Sequence, residues 1–327
     1  SWEVGLDMKL FKDFNLGLSW YLANTFNQTF DPQISVSSGY TTIYLQTGYV
    51  RNTGLELSLG YGHTWNNNFR WDSNFTLSHN KNKIKELVRD YVHPETGELI
   101  NKDRLDVGGL GKARFILKEG GTLGDLYTQS DLKRDDNGMV DIDPTGIVAI
   151  ENNLPDIKLG SVFPKANLAW SNHFSWKGIS LSALFTARIG GIVYSATEAA
   201  MDQYGVSERS ALARDNGGVL VNNRTLVDAQ NYYTTIGSES GLPQYYTYNA
   251  TNVRLQEASI GYLIPRKWLG NVCDIQVSVI GRNLWMIYNK APFDPESVAT
   301  TDNYYQGIDY FMLPSTRNIG FNVKINF

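Results

Sequence analysis

The sequence predicts an all-β protein: a transmembrane antiparallel β-barrel, with about eleven strands here forming half of a roughly twenty-two-stranded barrel. Three observations lead there. The last segment alternates strictly to the final residue. The same two-strand unit recurs along the chain. The connections between strands alternate short and long.

The last segment shows the pattern best. Ile319, Phe321, Val323, Ile325 and Phe327 alternate with Asn318, Gly320, Asn322, Lys324 and Asn326. A period of two puts one set on each face of a strand. In a soluble sandwich the apolar set would meet a second sheet. In an outer-membrane barrel it meets lipid, and the polar set lines a wet lumen. A final strand ending in Phe fits the second.

The first hairpin has the same form. Trp2, Val4, Leu6, Met8 and Leu10 lead into a turn at 11–13, and Phe14, Leu16, Leu18, Trp20 and Leu22 follow. A three-residue connection is hairpin length. The second pairs Leu55, Leu57, Leu59 and Tyr61 with Phe69, Trp71, Phe75 and Leu77 across Asn66–Asn68. A weaker hairpin spans 112–130 and turns at Glu119–Gly121. The fourth runs from Ala166 to Phe174, turns near Trp176–Gly178, and returns from Ile179 to Ala187. In the fifth, over 251–284, the phase slips between Leu255 and Ala258, which predicts a β-bulge.

Short connections fall at 11–13, 66–68, 119–121, 175–178 and 263–273; long ones fall at 27–47, 81–110, 131–164, 189–250 and 284–315. Outer-membrane barrels have short periplasmic turns and long extracellular loops. On that polarity Ser1 starts outside and Phe327 ends in the periplasm. About eleven strands is an odd number, whereas complete bacterial single-chain barrels are even. The expected remedy is an upstream half of the same barrel, which pairs with both open edges.

Composition agrees. Of 327 residues 13% are aromatic, with 19 Tyr and 8 Trp, enough for interfacial girdles. The net charge of −4 argues against nucleic-acid binding. Mean hydropathy is −0.30 and no long apolar run occurs, which excludes a helical span but not a barrel. Cys273 is the sole cysteine, so no internal disulfide forms. No metal-ligand spacing, cofactor motif or catalytic constellation stands out, and the chain is not read as an enzyme.

Several segments resemble the C-terminal half of SusC/RagA-family TonB-dependent transporters. Asn52–Leu59 resembles the family's N-x-G-x-E-L-x-L strand, and Phe75–Ile84 its N-x-S-x-N-x-N-K-I strand end, varied by His79 and Lys81. Glu119–Tyr127 resembles E-G-x-P-L-G-x-F-Y, with Thr122 in place of Pro. Val253–Pro265 resembles V-R-L-K-E-L-S-L-G-Y-x-L-P, and Val279–Trp285 resembles V-x-G-R-N-L-F. Asp294–Glu296 then follows at the expected place. The resemblance covers nearly the whole chain. It implies a plugged barrel in the bacterial outer membrane that imports large nutrients, oligosaccharides or peptides. Such a barrel is powered through TonB and capped by a SusD-like surface lipoprotein. It places the plug and the TonB contact upstream of residues 1–327. An outer-membrane barrel enzyme and a structural or adhesive barrel are the competing classes.

Candidate site residues fall into two sets. Tyr232, Tyr233, Tyr245, Tyr246, Tyr248, Tyr304, Tyr305 and Tyr310 crowd the long loops. They either stack on substrate or pack the loops against each other and a partner. Arg70, Asp72, Arg188, Arg254 and Arg282 fall on lumen-facing positions, as do Glu3, Asp7, Lys9 and Glu56. They either guide substrate or bond the plug and each other. The acidic stretch Asp131–Asp143 reads as a solvated turn; Lys133 stands where a calcium loop would need a ligand.

Overall fold

Nine antiparallel strands form one continuous sheet in a computed structural model. It describes residues 1–30, 37, 39, 41, 44–92, 97, 99–238, 241–270, 272–300 and 305–326. Tyr304 and the terminal Phe327 lie outside these. The wall strands are β1 (Trp2–Leu10), β2 (Phe14–Phe30), β3 (Leu45–Thr64), β4 (Arg70–Glu86), β5 (Ala166–Trp176), β6 (Ile179–Ile189), β7 (Asn252–Ile264), β8 (Asp274–Asn289) and β9 (Asn318–Asn326). Each pairs with its neighbour in that order. The sheet is open, since β1 and β9 do not pair with one another.

Register turns the period-two pattern into two faces. One row runs Leu6, Leu18, Leu57, Leu77, Leu168, Ala187 and Val253 from strand to strand. Another runs Leu181, Ile260, Val279 and Phe321. The first row is exposed at Leu6 and Leu18 and half-buried from Leu57 to Val253, and the second is exposed throughout, with Ile260 57% accessible and Phe321 71%. An apolar face this broad needs hydrocarbon rather than water. The opposite face is polar and concave. Lys9, Asn15, Asn74, Ser171, His173 and Glu257, from five of the wall strands, line one hollow of about 650 Å³.

Aromatic rings mark the ends of the apolar band. At the short-turn end Phe14 meets Tyr61 at 4.7 Å, Tyr61 meets Trp71 at 5.1 Å, and Trp71 stacks on Phe174 at 5.8 Å. Trp20, Trp285 and Tyr288 stand exposed toward the other end. Such amphipathic rings suit the lipid–water boundary. The expected bulge is present: Leu255 pairs with Phe185 and Glu257 with Leu184, which leaves Gln256 over. The turn between β5 and β6 has Lys177 at φ 48° and Gly178 at φ 90°, the left-handed pair a two-residue hairpin requires.

The hairpin over 112–130 corrects the strand count. It forms, but as Ala113–Lys118 and Asp125–Thr128 in a separate four-stranded sheet with Arg104–Leu110 and Ile157–Ser161. The strand Ala113–Lys118 has 6 residues, whereas a membrane-crossing strand needs about 9–11. Ala113, Phe115, Ile116 and Leu117 are all fully buried, so both faces meet protein rather than lipid and water. Its turn lies at the long-loop end, where Gly120 N–H donates to Ile84 O at 2.8 Å and Ile84 N–H to Gly121 O at 2.9 Å. The wall therefore has nine strands rather than eleven.

The long connections fold into a cap with its own core. β2, β3 and β4 run 17, 20 and 17 residues, well beyond a membrane's thickness. Above the band their Phe30, Leu45, Val50 and Ile84 join Phe115, Leu126, Tyr194, Leu242 and Tyr246 in one buried cluster. Three short helices complete it: α1 (Ala196–Gln203), α2 (Glu208–Asp215) and α3 (Ala229–Gly237). Ser195, Ser207 and Asp228 cap them by accepting from the N–H groups of Glu198, Ser210 and Asn231.

Candidate functional site

The concave face and the cap above it form the candidate site. The wall arginines differ in their partners. Arg70 binds Asp72, two residues along the same strand, at 2.6 and 2.7 Å. Arg282 on β8 reaches Glu257 on β7 at 2.8 Å. Side chains two apart share a face, and cross-strand neighbours meet there, so both pairs follow from pleat and register.

Arg254 is the most deeply placed, its side chain 5% accessible. It holds Asp294 through two hydrogen bonds of 3.1 and 2.8 Å, and Glu296 at 3.2 Å. Asn252 Oδ1 accepts from the same guanidinium at 3.2 Å. Burial pushes the Asp294 carboxyl up, but hydrogen bonds from Arg254 and the Glu296 N–H outweigh it and hold Asp294 below the usual range. The segment 290–299 is thereby tied to the wall. Tyr248 backs it, edge-on to Phe293 at 5.8 Å. Arg188 has no carboxylate partner among the described residues; its Nη2 donates to Val162 O at 2.7 Å.

The two motif residues after Gly281 separate in role. Arg282 makes the ion pair. Asn283 adopts φ 51°, a left-handed conformation that asparagine tolerates, and its Nδ2 donates to Thr316 O at 3.3 Å.

The tyrosines do not form one surface. Tyr246 is fully buried and Tyr233 nearly so. The Tyr246 hydroxyl donates to Asp202 Oδ2 at 3.0 Å, and Arg209 lies 4.8 Å over its ring while pairing with Asp202. Ser207 Oγ also donates to Asp202. Tyr232 stands edge-on to Tyr233 at 5.4 Å. Tyr245 donates to Asp131 Oδ1 at 3.4 Å; burial and that carboxylate push its phenol up to about 12. Tyr305 and Tyr310 are the exposed pair, 41% and 51% accessible. Tyr305 lies over Gly108, and Tyr310 is edge-on to Phe311 at 5.1 Å. The Asp202–Arg209 hub carries no local sequence signal beyond the Ser207 cap, because Tyr246 is 44 positions from Asp202.

The acidic stretch closes its own turns. Asp135 Oδ1 accepts from the N–H groups of Asn137 and Met139 at 2.9 and 2.8 Å, and Asp143 Oδ1 from those of Thr145 and Ile147 at 2.8 and 2.9 Å. Asn222 ties this arm to the cap by bonding both backbone groups of Val140.

No family model matches the chain. Sequence relatives do. TonB-dependent receptor P3 of Formosa agariphila is 25% identical over 98% of this chain and 33% of that receptor. TonB-dependent receptor P26 of the same organism is 23% identical over 100% of this chain and 34% of its own length. The relatives of this chain are TonB-dependent receptors. The chain spans about a third of their length. Among solved structures, the RagAB peptide importer in a closed-closed state superposes with a TM-score of 0.70 at 19% identity. That match covers 99% of this chain and 35% of the other. Its open-open state gives 0.68 at 18%. The fold is shared, and the resemblance to SusC/RagA-type TonB-dependent transporters read from the motifs stands.

Proposed function

We propose that this chain forms part of the wall and outer cap of an outer-membrane importer for large nutrients, oligosaccharides or peptides. Residues 1–327 belong to one barrel domain. Further strands pair with β1 and β9, because an unpaired strand edge in hydrocarbon costs several kcal/mol per orphaned backbone group. A plug fills the concave face, and transport draws energy through TonB. A SusD-like lipoprotein covers the cap. The observation that carries this reading is the pairing of an apolar outer face with a polar inner one over nine strands, in a chain whose relatives are TonB-dependent receptors.

The test is growth of cells expressing the full-length receptor on a single nutrient, with and without a functional TonB. Loss of growth without TonB supports import. Equal growth in both strains sinks it. Affinity purification of the receptor asks the partner question: a lipoprotein recovered in equal amounts supports the capped arrangement, and its absence overturns that part.

A further inference from the structure

Of the four lumen-facing arginines Arg70, Arg188, Arg254 and Arg282, Arg188 is the one without a carboxylate among the described residues. Arg70, Arg254 and Arg282 each hold a carboxylate, at 2.6, 2.8 and 2.8 Å. Arg188 holds none among the described residues, and its Nε is buried without an acceptor. A guanidinium keeps its charge at any physiological pH, so it cannot answer burial by losing a proton. A buried donor left unpaired is costly. The neighbours leave the gap open. Asn167 and Asn252 flank Arg188 in register on β5 and β7. Both are neutral, and Asn167 is exposed. Glu296 in the following loop is close enough for its charge to act on Arg188, but it makes no ion pair with it and is engaged by Arg254 at 3.2 Å and by Asn252 at 3.3 Å. Arg188 is also the second-last residue of β6, at the end where the long loops begin.

We propose that Arg188 is a carboxylate-binding residue at the mouth of the lumen. Its guanidinium takes an anionic oxygen pair that these residues do not supply, with Asn167 free to add an amide donor. The carboxylate comes either from the transported molecule or from the polypeptide that fills the lumen. This rests on the lumen assignment made above.

The experiment uses the full-length receptor with Arg188→Gln and Arg188→Lys. The probes are two fluorescent peptides of one sequence, one ending in a free carboxylate and one amidated with no other acid. Binding and the midpoint of thermal unfolding are read together. If the ligand supplies the carboxylate, Arg188→Gln weakens the free-acid peptide about ten- to a hundredfold and leaves the amidated peptide and the midpoint unchanged. Arg188→Lys recovers part of that loss, since it keeps charge but not the fork. If the receptor's own polypeptide supplies it, the midpoint falls and both peptides weaken alike. Unchanged binding and midpoint in Arg188→Gln overturn the proposal: the orphan donor is then met by water. TonB-dependent growth retained in that variant would leave the transport reading standing.

Discussion

Arg254 on β7 and Asp294 in the following long connection are joined by two hydrogen bonds, 3.1 and 2.8 Å, with both side chains more than nine-tenths buried. The pair sits where motif residues are separated by 40 positions, so the ion pair fixes the return of the chain over the lumen rim.

Removing either partner leaves a buried charge uncompensated. Arg254→Met or Asp294→Asn is expected to cost about 3–5 kcal/mol in the anchoring of 290–299. Hydrogen exchange over 290–299 in the full-length receptor measures it. The pH dependence has a definite sign. The folded pKa of Asp294 is depressed, so its contribution is present above the ordinary carboxylate pKa and is lost as pH falls through the lowered value. Exchange there should accelerate on acidification, and Asp294→Asn should flatten that response. A wild-type profile identical to that of Asp294→Asn would remove the electrostatic explanation.

The two faces of the wall should respond oppositely to one substitution. Phe321→Lys or Leu18→Lys places a charge on the apolar face and is expected to cost about 2–4 kcal/mol near the midplane. Asn322→Lys, on the polar face, should assemble almost normally. At Gly17 even a small side chain meets Asp7 at 3.1 Å, so Gly17→Ala needs only a slight shift of a flexible carboxylate. Folding yield into detergent-resistant receptor is the readout. Equal loss on both faces would contradict the lipid assignment.

The wall was legible because lipid and water impose opposite demands on alternate residues. That alternation is visible in Val4, Leu6 and Met8 as much as in Phe321 and Val323. The cap was not legible for the converse reason. Strand Ala113–Lys118 is buried on both faces and has only 6 residues, so it resembles a wall strand only in its apolar residues and turn chemistry. The helices α1 and α2 are 8 residues each, too short to show a period clearly. Among the site residues, the ion pairs of Arg70 and Arg282 follow from register. The burial of Tyr246 and the pairing of Arg254 with Asp294 depend on contacts across long loops that no local pattern encodes.

Tyr21 and Gly54 offer a packing test within the lumen. They are register partners on β2 and β3, and a Cβ at Gly54 would stand 2.2 Å from Tyr21 Cζ. The ring lies across the bare glycine backbone. Gly54→Ala should displace it and destabilise by about 1–3 kcal/mol. Tyr21→Ala should abolish most of that penalty in the double variant. Additive losses in the cycle, read as thermal midpoints, would show that the ring does not depend on the glycine.

The last test concerns the buried hub of the cap. Asp202 is 1% accessible and accepts from the Tyr246 and Ser207 hydroxyls while pairing with Arg209. Tyr246→Phe removes one hydrogen bond to a buried charge and should cost about 1.5–3 kcal/mol. Asp202→Asn should cost more, because it strips the half-buried Arg209 of its counterion. Burial first, then the Asp202 charge, raises the Tyr246 phenol well above its ordinary pKa. The sign follows from proton count: above about pH 10 the unfolded tyrosine loses its proton while the folded one keeps it. Stability contributed by Tyr246 is therefore complete below that pH and declines as pH rises. Hydrogen exchange over 196–249 between pH 7 and 11 should show alkaline loosening, and Tyr246→Phe should reduce its slope. An unchanged slope in that variant would mean the phenol is not protected by the hub, and the cap core would have to owe its alkaline response to another group.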